Sequence, residues 1–336
     1  MKTVTLGMSG GVDSAAAAIM LKEKGYDVIA LYFDVLKESN QEARQRAEST
    51  AKALGISFVS KNVSTEFEDK IIHPFCMEYS MGRTPIPCIF CNPMIKFKTL
   101  ANLGTDFLAT GHYAKIKEID GVFYAAKADN RKKDQSYMLA RLPQEILKKC
   151  VFPLGDIESK EAVRKFVADR GLSISSIQDS QDICFIKGSY KDFLNSRKIT
   201  SPKGNFISPD GKIYGPNEGI ANYTVGQRKG IGIALGTPAF VSSINSGTGD
   251  VILTDNEKDL FKTEVKIDNL MLNRSPVDKL YQVKLRYAAK PADCKIILKG
   301  DSAVLYFNDA QRAPTPGQAA VIYDDDIVIG SGIIYN

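Results

Sequence analysis

The chain lacks the features that direct proteins into or across membranes. No stretch of its 336 residues approaches the ~18 consecutive apolar residues of a membrane span. The N-terminus leads straight into a strand pattern and shows no signal-peptide pattern. Cysteine is also scarce, and six in a chain of this length favour reduced thiols over a disulfide framework. We therefore expect a cytoplasmic protein with no membrane partner, whose cysteines serve in the core, in catalysis or at a metal.

Histidine is scarce as well, and the sequence has no internal repeats. A structural zinc site that used Cys88 and Cys91 would usually need a second pair of closely spaced ligands. The sequence offers only single thiols and two histidines, His73 and His112, with no matching pair, so structural zinc is disfavoured. Internal repeats and low-complexity segments are absent. The 44% hydrophobic and 25% charged residues indicate an ordinary globular protein, and the length favours two or three domains. The net charge of +5 permits a polyanionic partner without requiring one.

A glycine turn near the N-terminus, MSGGVDS at 8–14, is the most informative stretch of the chain. It separates a strand pattern at Thr3–Leu6 from a helical pattern at Ala15–Lys24. Glycines let the backbone approach a phosphate, and a helix N-terminus favours an anion by about 0.3–1 kcal/mol. The Lys of a Walker loop and the spacing of a dinucleotide fingerprint are both missing. The turn therefore predicts a different kind of phosphate site, with an ordinary βα turn as the alternative.

Helix and strand patterns alternate through the first half of the chain. The predicted strands are 26–33, 56–59 and 106–110, and the predicted helices are 41–54, 66–79, 95–103 and 159–171. This alternation predicts a parallel, doubly wound sheet. Beyond about Arg197 glycine and proline are frequent, and from Glu264 onward period-two patterns predict a small β-barrel or sandwich. We expect an α/β domain over 1–197, a small central domain over 198–262 and a β-barrel domain over 263–336.

Three cysteines are candidates for chemistry. Cys88 and Cys91 form a Cys-x-x-Cys pair in a loop before a helix that contains Lys96, a setting that lowers thiol pKa values. Cys184 is distant in sequence but lies in the same predicted domain. An iron–sulfur cluster on these three thiols, with one iron open to sulfide or substrate, is an alternative use. The remaining cysteines lie in apolar or strand-like patterns and are expected in the core: Cys76, Cys150 and Cys294.

The glycine turn resembles the PP-loop of the ATP pyrophosphatases, which split ATP into AMP and pyrophosphate and adenylate a substrate oxygen. Over nearly its whole length the chain resembles the bacterial tRNA-specific 2-thiouridylases. The motifs that carry this resemblance are GMSGGVDS (7–14), CNPMIKF (91–97), ATGHYAKI (109–116), KDQSYML (133–139), FPLGD (152–156), DSQDICFI (179–186), YTVGQRKGIGIA (223–234) and RAPTPGQAAVIYDDDIVIGSGII (312–334). The resemblance implies a parallel-sheet PP-loop (adenine nucleotide α-hydrolase-like) α/β domain, a small central domain and a C-terminal β-barrel.

The resemblance also implies a reaction, the ATP-dependent 2-thiolation of the wobble uridine of tRNA. ATP, with Mg²⁺, adenylates the C2 oxygen of the base, and sulfur carried as a persulfide on Cys184 then replaces it. Cys91 is by resemblance the nucleophile that helps to release this sulfur, through a transient Cys91–Cys184 disulfide. The partners implied are tRNA and a sulfur donor, either a persulfide carrier or a cysteine desulfurase.

The resemblance assigns binding roles to two sets of residues. The ATP-binding set is Gly7, Met8, Ser9, Gly10, Gly11, Val12, Asp13, Ser14, Phe33 and Gly111. The tRNA-binding set is Ile86, Pro87, Cys88, His112, Lys133, Asp134, Gln135, Gln227, Arg228, Lys229, Arg286, Tyr287 and Gln318. A packed, hydrogen-bonded side chain is the alternative for His112, and a solvated basic turn is the alternative for the segment 227–230.

Two departures from the family pattern affect these assignments. Many members carry Asn-Pro-Asp ahead of the loop cysteine, whereas this chain has Ile86-Pro87-Cys88. The carboxylate of those members could act as a base, and this chain has a thiol in its place. Either Cys88 performs that proton transfer as a thiolate, or Cys88, Cys91 and Cys184 hold a [4Fe-4S] cluster. We favour the persulfide route. The segment 33–36 also lacks the Asn-Trp often found beside the nucleotide.

Other functions compete with tRNA 2-thiolation. A PP-loop ligase or amidotransferase-type enzyme on a small substrate needs neither paired thiols nor a barrel. A noncatalytic tRNA-binding protein would not need the PP-loop. Synthesis of 4-thiouridine usually requires RNA-binding domains that this chain lacks.

Overall fold

A computed structural model of the protein describes residues 1–36, 40–172, 183–233 and 236–335. Residues 179–182 and 234, which belong to two of the motifs above, lie outside this range. The α-helices, in chain order, are α1 (Val12–Glu23), α2 (Gln41–Leu54), α3 (Ser64–Phe67), α4 (His73–Ser80), α5 (Cys88–Cys91), α6 (Lys98–Ala101), α7 (Gln144–Leu147), α8 (Lys160–Ala168) and α9 (Tyr190–Ser196). π-Helical segments occupy Glu68–Ile72 and Asn92–Phe97.

The strands account for most of the second half of the chain. In chain order they are β1 (Thr3–Gly7), β2 (Asp27–Asp34), β3 (Ser57–Asn62), β4 (Phe107–Thr110), β5 (Ala114–Ile119), β6 (Val122–Lys127), β7 (Cys150–Val151), β8 (Asn205–Ile207), β9 (Ile213–Pro216), β10 (Phe240–Ile244), β11 (Val251–Thr254), β12 (Phe261–Leu272), β13 (Tyr281–Lys284), β14 (Ala292–Lys299), β15 (Ser302–Arg312), β16 (Ala319–Asp324) and β17 (Ile327–Ile334). They group into two compact units. Unit 1 comprises 1–71, 88–183 and 326–329, and unit 2 comprises 72–87, 184–325 and 330–336.

Unit 1 contains a five-stranded parallel sheet in the order β3-β2-β1-β4-β7. Most side chains of its central strands β1 and β2 are buried or half-buried, and the small side chains of Ala17 and Ala18 on α1 belong to the same core cluster as Val4 and Leu6 of β1. The strand order reverses between β1 and β4, at Gly7 and Thr110. Ligands of such sheets bind outside the carboxyl ends of the strands at this reversal. The expected parallel α/β sheet is confirmed, and its topology places a binding crevice beside the glycine turn.

Local signals account for the elements that were well predicted. Helix α2 has the predicted bounds because the Asn40 side chain accepts a hydrogen bond from the Ala43 N–H, and Gly55 ends the helix with φ of +62°. The antiparallel hairpin of β5 and β6 was not predicted. The sequence contains its signal, because Asp-Gly is a dipeptide typical of two-residue hairpin turns. Asp120 and Gly121 both have the positive φ that such a turn requires. The cysteine pair was placed in a loop, and this was wrong because Cys88–Cys91 is itself the helical turn α5.

Unit 2 contains a four-stranded sheet in the order β10-β11-β8-β9 and an antiparallel barrel in the order β12-β15-β14-β13-β16-β17, to which it contributes β17 from Gly330 onward. Pairing of β12 with β17 closes the barrel, so the expected barrel or sandwich is a barrel. Closure brings backbones very near to one another at Gly330. A Cβ atom there would lie 2.6 Å from the carbonyl oxygen of Met271 and 2.5 Å from a Leu272 methyl group. Among the residues that the structure describes, no helix has the length and apolar character needed to cross a membrane.

We predict that Gly330→Ala destabilises the barrel by about 1–3 kcal/mol, because the new methyl group forces two paired strands apart. Denaturant unfolding measures this change. Gly247→Ala is the matched control, since a Cβ atom there would meet its nearest neighbour at 3.4 Å. Equal stability of the two variants would contradict the close approach at β12 and β17.

Candidate active site

The glycine turn joins the end of β1 to the start of α1. Gly11 lies at the N-cap of α1 with an extended backbone, and glycine has no side chain that could cap the helix. The first N–H groups of α1 therefore remain available to an anion, and the helix dipole favours negative charge there. The Ser14 hydroxyl donates to the Gly11 carbonyl at 2.9 Å, and its oxygen lies 3.3 Å from the Ser9 hydroxyl. The turn is thus a cradle of backbone donors edged by two hydroxyls.

Glycine is required in this cradle because other backbone segments approach it closely. Gly10 has φ of +79°, and a Cβ atom there would lie 2.5 Å from the Ala43 carbonyl oxygen on α2. At Gly111 a Cβ atom would lie 2.9 Å from the backbone nitrogen of Ser14. Gly7 packs against the Phe33 ring, which a Cβ atom would meet at 3.2 Å. The structure therefore brings the predicted ATP residues of β1, α1, β2 and the loop after β4 together, while their role as ligands stays a prediction.

Two residues that the sequence analysis missed hold the Asp13 carboxylate. The Tyr113 hydroxyl donates to Oδ1 at 2.8 Å, and the Lys160 ammonium donates to Oδ2 at 2.6 Å. Tyr113 lies inside the motif ATGHYAKI, and Lys160 is the first residue of α8. Neither contact has a local sequence signal, although the Lys160 cation opposes the dipole at the start of α8.

The paired cysteines lie where α5 continues into the π-helical segment Asn92–Phe97, a kind of distortion often found at functional sites. Cys91 is buried. Burial raises the pKa of the Cys88 thiol, and the nearby Lys96 ammonium lowers it by less. The expectation of a lowered pKa is therefore wrong for Cys88, because loss of hydration outweighs the cation. Cys88 is mainly a neutral thiol at pH 7, which disfavours its use as a thiolate base there.

A segment that follows β6 supports the cysteine helix. The Asn92 amide donates to the Met138 carbonyl at 2.8 Å, and the Arg141 guanidinium lies 5.2 Å from the centre of the Phe90 ring. The Asn92 Oδ1 atom is buried and has no hydrogen-bond partner among the described residues. These contacts fix the turn that presents Cys88 and Cys91. The motif KDQSYML, which contains Met138, therefore supports the cysteine turn through the protein interior.

The third candidate thiol, Cys184, is exposed and belongs to unit 2, whereas Cys88 and Cys91 belong to unit 1. The other three cysteines, Cys76, Cys150 and Cys294, are buried as predicted, and burial raises the pKa of Cys294 to about 12. Across the described ranges, no three His, Cys, Asp or Glu side chains form a group that could hold a metal ion. The cluster ligands suggested from the sequence stay a prediction.

His112 lies two residues after the end of β4, against Phe97 of the π-helical segment. Its Nδ1 atom is 2.6 Å from the Thr110 hydroxyl oxygen, and the rings of Phe97 and Phe152 pack around it. Burial, with a smaller repulsion from Lys96, lowers the pKa of His112 to about 3. The imidazole is thus neutral at physiological pH, and one ring nitrogen is used by Thr110. Its suggested contact with tRNA stays a prediction, and an uncharged ring would make that contact.

The predicted tRNA residues of unit 1 have unequal exposure. Lys133 is exposed, but Asp134 is buried, and its carboxylate accepts hydrogen bonds from the Ala128 N–H and from the N–H and hydroxyl of Ser136. The Gln135 side chain accepts from the Tyr113 N–H at 3.0 Å. Asp134 therefore shapes the loop internally, an arrangement that does not favour its direct contact with RNA.

Several predicted tRNA residues of unit 2 also bond internally. The Arg286 guanidinium donates to the carbonyls of Val225 and Ala313 and to the Thr315 hydroxyl, and Gln318 donates to the Thr84 carbonyl at 2.7 Å. The Gln227 side chain closes its own turn by donating to the carbonyls of Lys229 and Gly230. The remaining members of this set differ in exposure: Arg228 and Lys229 are exposed, Ile86 and Tyr287 are partly buried, and Pro87 is buried. The suggested tRNA roles of all these residues stay predictions.

Comparison with known proteins gives a consistent result over the whole chain. Residues 2–188 match the family described as tRNA methyl transferase HUP domain, 191–255 the tRNA methyl transferase PRC-barrel domain, and 263–334 the aminomethyltransferase beta-barrel domain. The predicted order of an α/β domain, a small central domain and a C-terminal barrel is confirmed, while the exact domain boundaries stay a prediction.

Curated relatives resemble the chain from end to end. The tRNA-specific 2-thiouridylase MnmA 2 of Clostridium botulinum (strain Hall) is 42% identical, covering 98% of this chain and 98% of that protein. The tRNA-specific 2-thiouridylase MnmA of Clostridioides difficile (strain 630) is 41% identical, covering 99% and 98%. A solved structure titled as a predicted subunit of tRNA methyltransferase from Methanocaldococcus jannaschii is 18% identical with a TM-score of 0.33, covering 50% of this chain and 76% of that chain.

We predict that His112 makes the free energy of unfolding fall between pH 6.5 and pH 5. The unfolded histidine binds a proton near pH 6.5, whereas the folded one does so only near pH 3, so acid favours the unfolded chain. The loss is at most about 2 kcal/mol over this interval. Denaturant unfolding at the two pH values measures it, and His112→Gln should reduce the loss. An equal loss in the variant would contradict a neutral His112 with a lowered pKa.

Proposed function

The chain belongs to the tRNA-specific 2-thiouridylase family, and from that premise we propose that it is an ATP-dependent tRNA sulfurtransferase that converts the wobble uridine to 2-thiouridine. The observation that carries this proposal is the glycine cradle at the β1–α1 turn, in the same unit as the cysteine turn Cys88–Cys91. The cradle suits a nucleotide polyphosphate, and the thiols suit sulfur chemistry.

The first step uses the cradle. The triphosphate of ATP, accompanied by Mg²⁺ as part of the substrate, lies against the N–H groups at the start of α1. Gly10 and Gly111 allow the close approach of backbone that this contact needs. The C2 oxygen of uridine attacks the α-phosphorus, pyrophosphate leaves, and C2 now carries AMP as a good leaving group. The uridine must leave its stack to reach this position, as bases do in other base-modifying enzymes.

The second step replaces the activated oxygen by sulfur. The exposure of Cys184 supports its role as the acceptor of a persulfide from a donor protein. The Cys91 thiolate attacks the Cys184 sulfur, the bond between the two persulfide sulfurs breaks, and the released sulfide attacks C2. AMP departs from C2, and the Cys91–Cys184 disulfide left behind is reduced by an external dithiol. The burial of Cys91 supports a step that excludes water from the activated uridine.

Proton transfer is the step at which this chain departs from its family. Where many relatives carry a carboxylate, this chain has Cys88, whose pKa is raised by burial. Only the small thiolate fraction of Cys88 can accept a proton at pH 7, and that fraction grows as pH rises. We therefore propose that the rate of this proton transfer rises as the pH is raised above 7.

We predict that Cys91→Ser and Cys184→Ser lower 2-thiouridine formation by about a thousandfold or more, because each removes a sulfur that takes part in the exchange. Purified enzyme is incubated with tRNA, ATP and a small-molecule persulfide donor, and nucleosides are measured by mass spectrometry. Cys294→Ala, at a buried barrel cysteine, is the control and should keep activity. Release of AMP and pyrophosphate with a small amide or carboxylate substrate, without tRNA, would favour the ligase alternative.

We predict that Cys88→Asp raises the rate of thiolation at pH 7, because the ordinary pKa of a carboxyl group is several units below that of a thiol, so a larger fraction is ionised at the same site. The wild-type rate should continue to rise into the alkaline range, whereas the Asp variant should level off at a lower pH. Rates from pH 6 to pH 9 and iron content after anaerobic purification are measured for both proteins. A Cys88→Ser variant with the wild-type profile would refute the base role, and iron bound in proportion to protein would favour the cluster alternative.

A further inference from the structure

Lys160 occupies a position that its local sequence does not explain. It is the first residue of α8, directly after the N-cap Ser159, whose hydroxyl accepts from the Ala162 N–H at 3.0 Å. A cation at a helix N-terminus opposes the helix dipole, and lysine is seldom buried, yet Lys160 is only 8% exposed. Positions where local rules fail are expected at functional or strained sites.

The position of the Lys160 ammonium is set by packing. Apolar side chains of α8 and α1 share one core cluster, which includes Val163 and Val167 on α8 and Val12 and Ala16 on α1. Helix α8 is therefore held firmly against the first turn of α1. The ammonium lies 2.6 Å from Asp13 Oδ2, so this packing delivers a cation to the phosphate turn.

Tyr113 fixes the other oxygen of the same carboxylate. Its hydroxyl donates to Asp13 Oδ1 at 2.8 Å, and its ring is 2% exposed and belongs to the same core cluster. Its backbone is held at both ends by Gln135, which accepts from the Tyr113 N–H through its side chain and donates its own N–H to the Tyr113 carbonyl. Each oxygen of the Asp13 carboxylate therefore accepts a hydrogen bond, one from Tyr113 and one from Lys160.

These two hydrogen bonds matter because of where Asp13 lies. A carboxylate in the first turn of α1 stabilises the helix, but its negative charge repels a polyphosphate bound at the same helix end. We propose that Lys160 is a positioning residue that supplies the counter-charge of Asp13 and, with Tyr113, fixes its orientation, so that the turn still attracts the phosphates of ATP. The ligand in this inference rests on the proposed function; the charge compensation rests on the contacts alone.

Calorimetric titration with ATP and Mg²⁺ tests the inference in the full-length protein. Lys160→Met should raise the Kd for ATP by about tenfold or more, because an uncompensated carboxylate then faces the phosphates. Lys165→Met, at an exposed lysine of the same helix, is the matched control and should leave the Kd unchanged. The double variant Asp13→Asn/Lys160→Met, which removes both charges, should bind ATP more tightly than Lys160→Met. A purely structural role for Lys160 would not produce this rescue.

Tyr113→Phe supplies a second test that does not depend on the folding of the lysine variants. It keeps the ring and removes the hydroxyl, so the Kd for ATP should rise by about two- to fivefold. Unchanged Kd in both Lys160→Met and Tyr113→Phe would overturn the inference, as would a double variant that binds no better than Lys160→Met.

Thiolation of tRNA by the wild-type protein is measured in the same preparations. If ATP binding depends on Lys160 but the wild-type protein does not thiolate tRNA, the proposed function is refuted and the inference stands. If the wild-type protein thiolates tRNA but ATP binding does not depend on Lys160, the inference is refuted and the proposed function stands.

Discussion

The close approach of backbone segments at the β1–α1 turn is the constraint on which the candidate site depends. Gly10 touches α2, Gly111 touches the first turn of α1, and neither position has room for a side chain. The contacts bring the ends of three parallel strands and two helices to the same point of unit 1. Backbone N–H groups can face a phosphate there only because no side chain lies between them.

The sequence predicted the parts of this arrangement that depend on neighbouring residues. Helix α2 has its cap residues at both ends, and the glycine turn lies between an apolar strand and an alanine-rich helix. The alternation of strands and helices was sufficient to predict the parallel sheet. The barrel followed from period-two patterns, although a sandwich shares those patterns, and only the pairing of β12 with β17 distinguishes the two.

What the sequence could not predict are contacts between residues far apart in the chain. Tyr113 and Lys160 reach Asp13 across 100 and 147 residues, and no local pattern specifies either bond. The environment of Cys88 is another such case. Its spacing from Cys91 and the nearby Lys96 suggested a thiolate, whereas the surrounding core removes water and raises its pKa. Burial of this kind is a property of the whole fold, and a motif does not report it.

A single tyrosine lies between two loops for which we propose different ligands. Gln135, in the loop proposed to contact tRNA, holds the Tyr113 backbone, and the Tyr113 hydroxyl holds Asp13 in the nucleotide turn. An aromatic ring does not bend, so a shift of its backbone displaces its hydroxyl as well. Binding at one loop that moves this tyrosine would therefore change the free energy of binding at the other, and by thermodynamic linkage the effect would be equal in both directions.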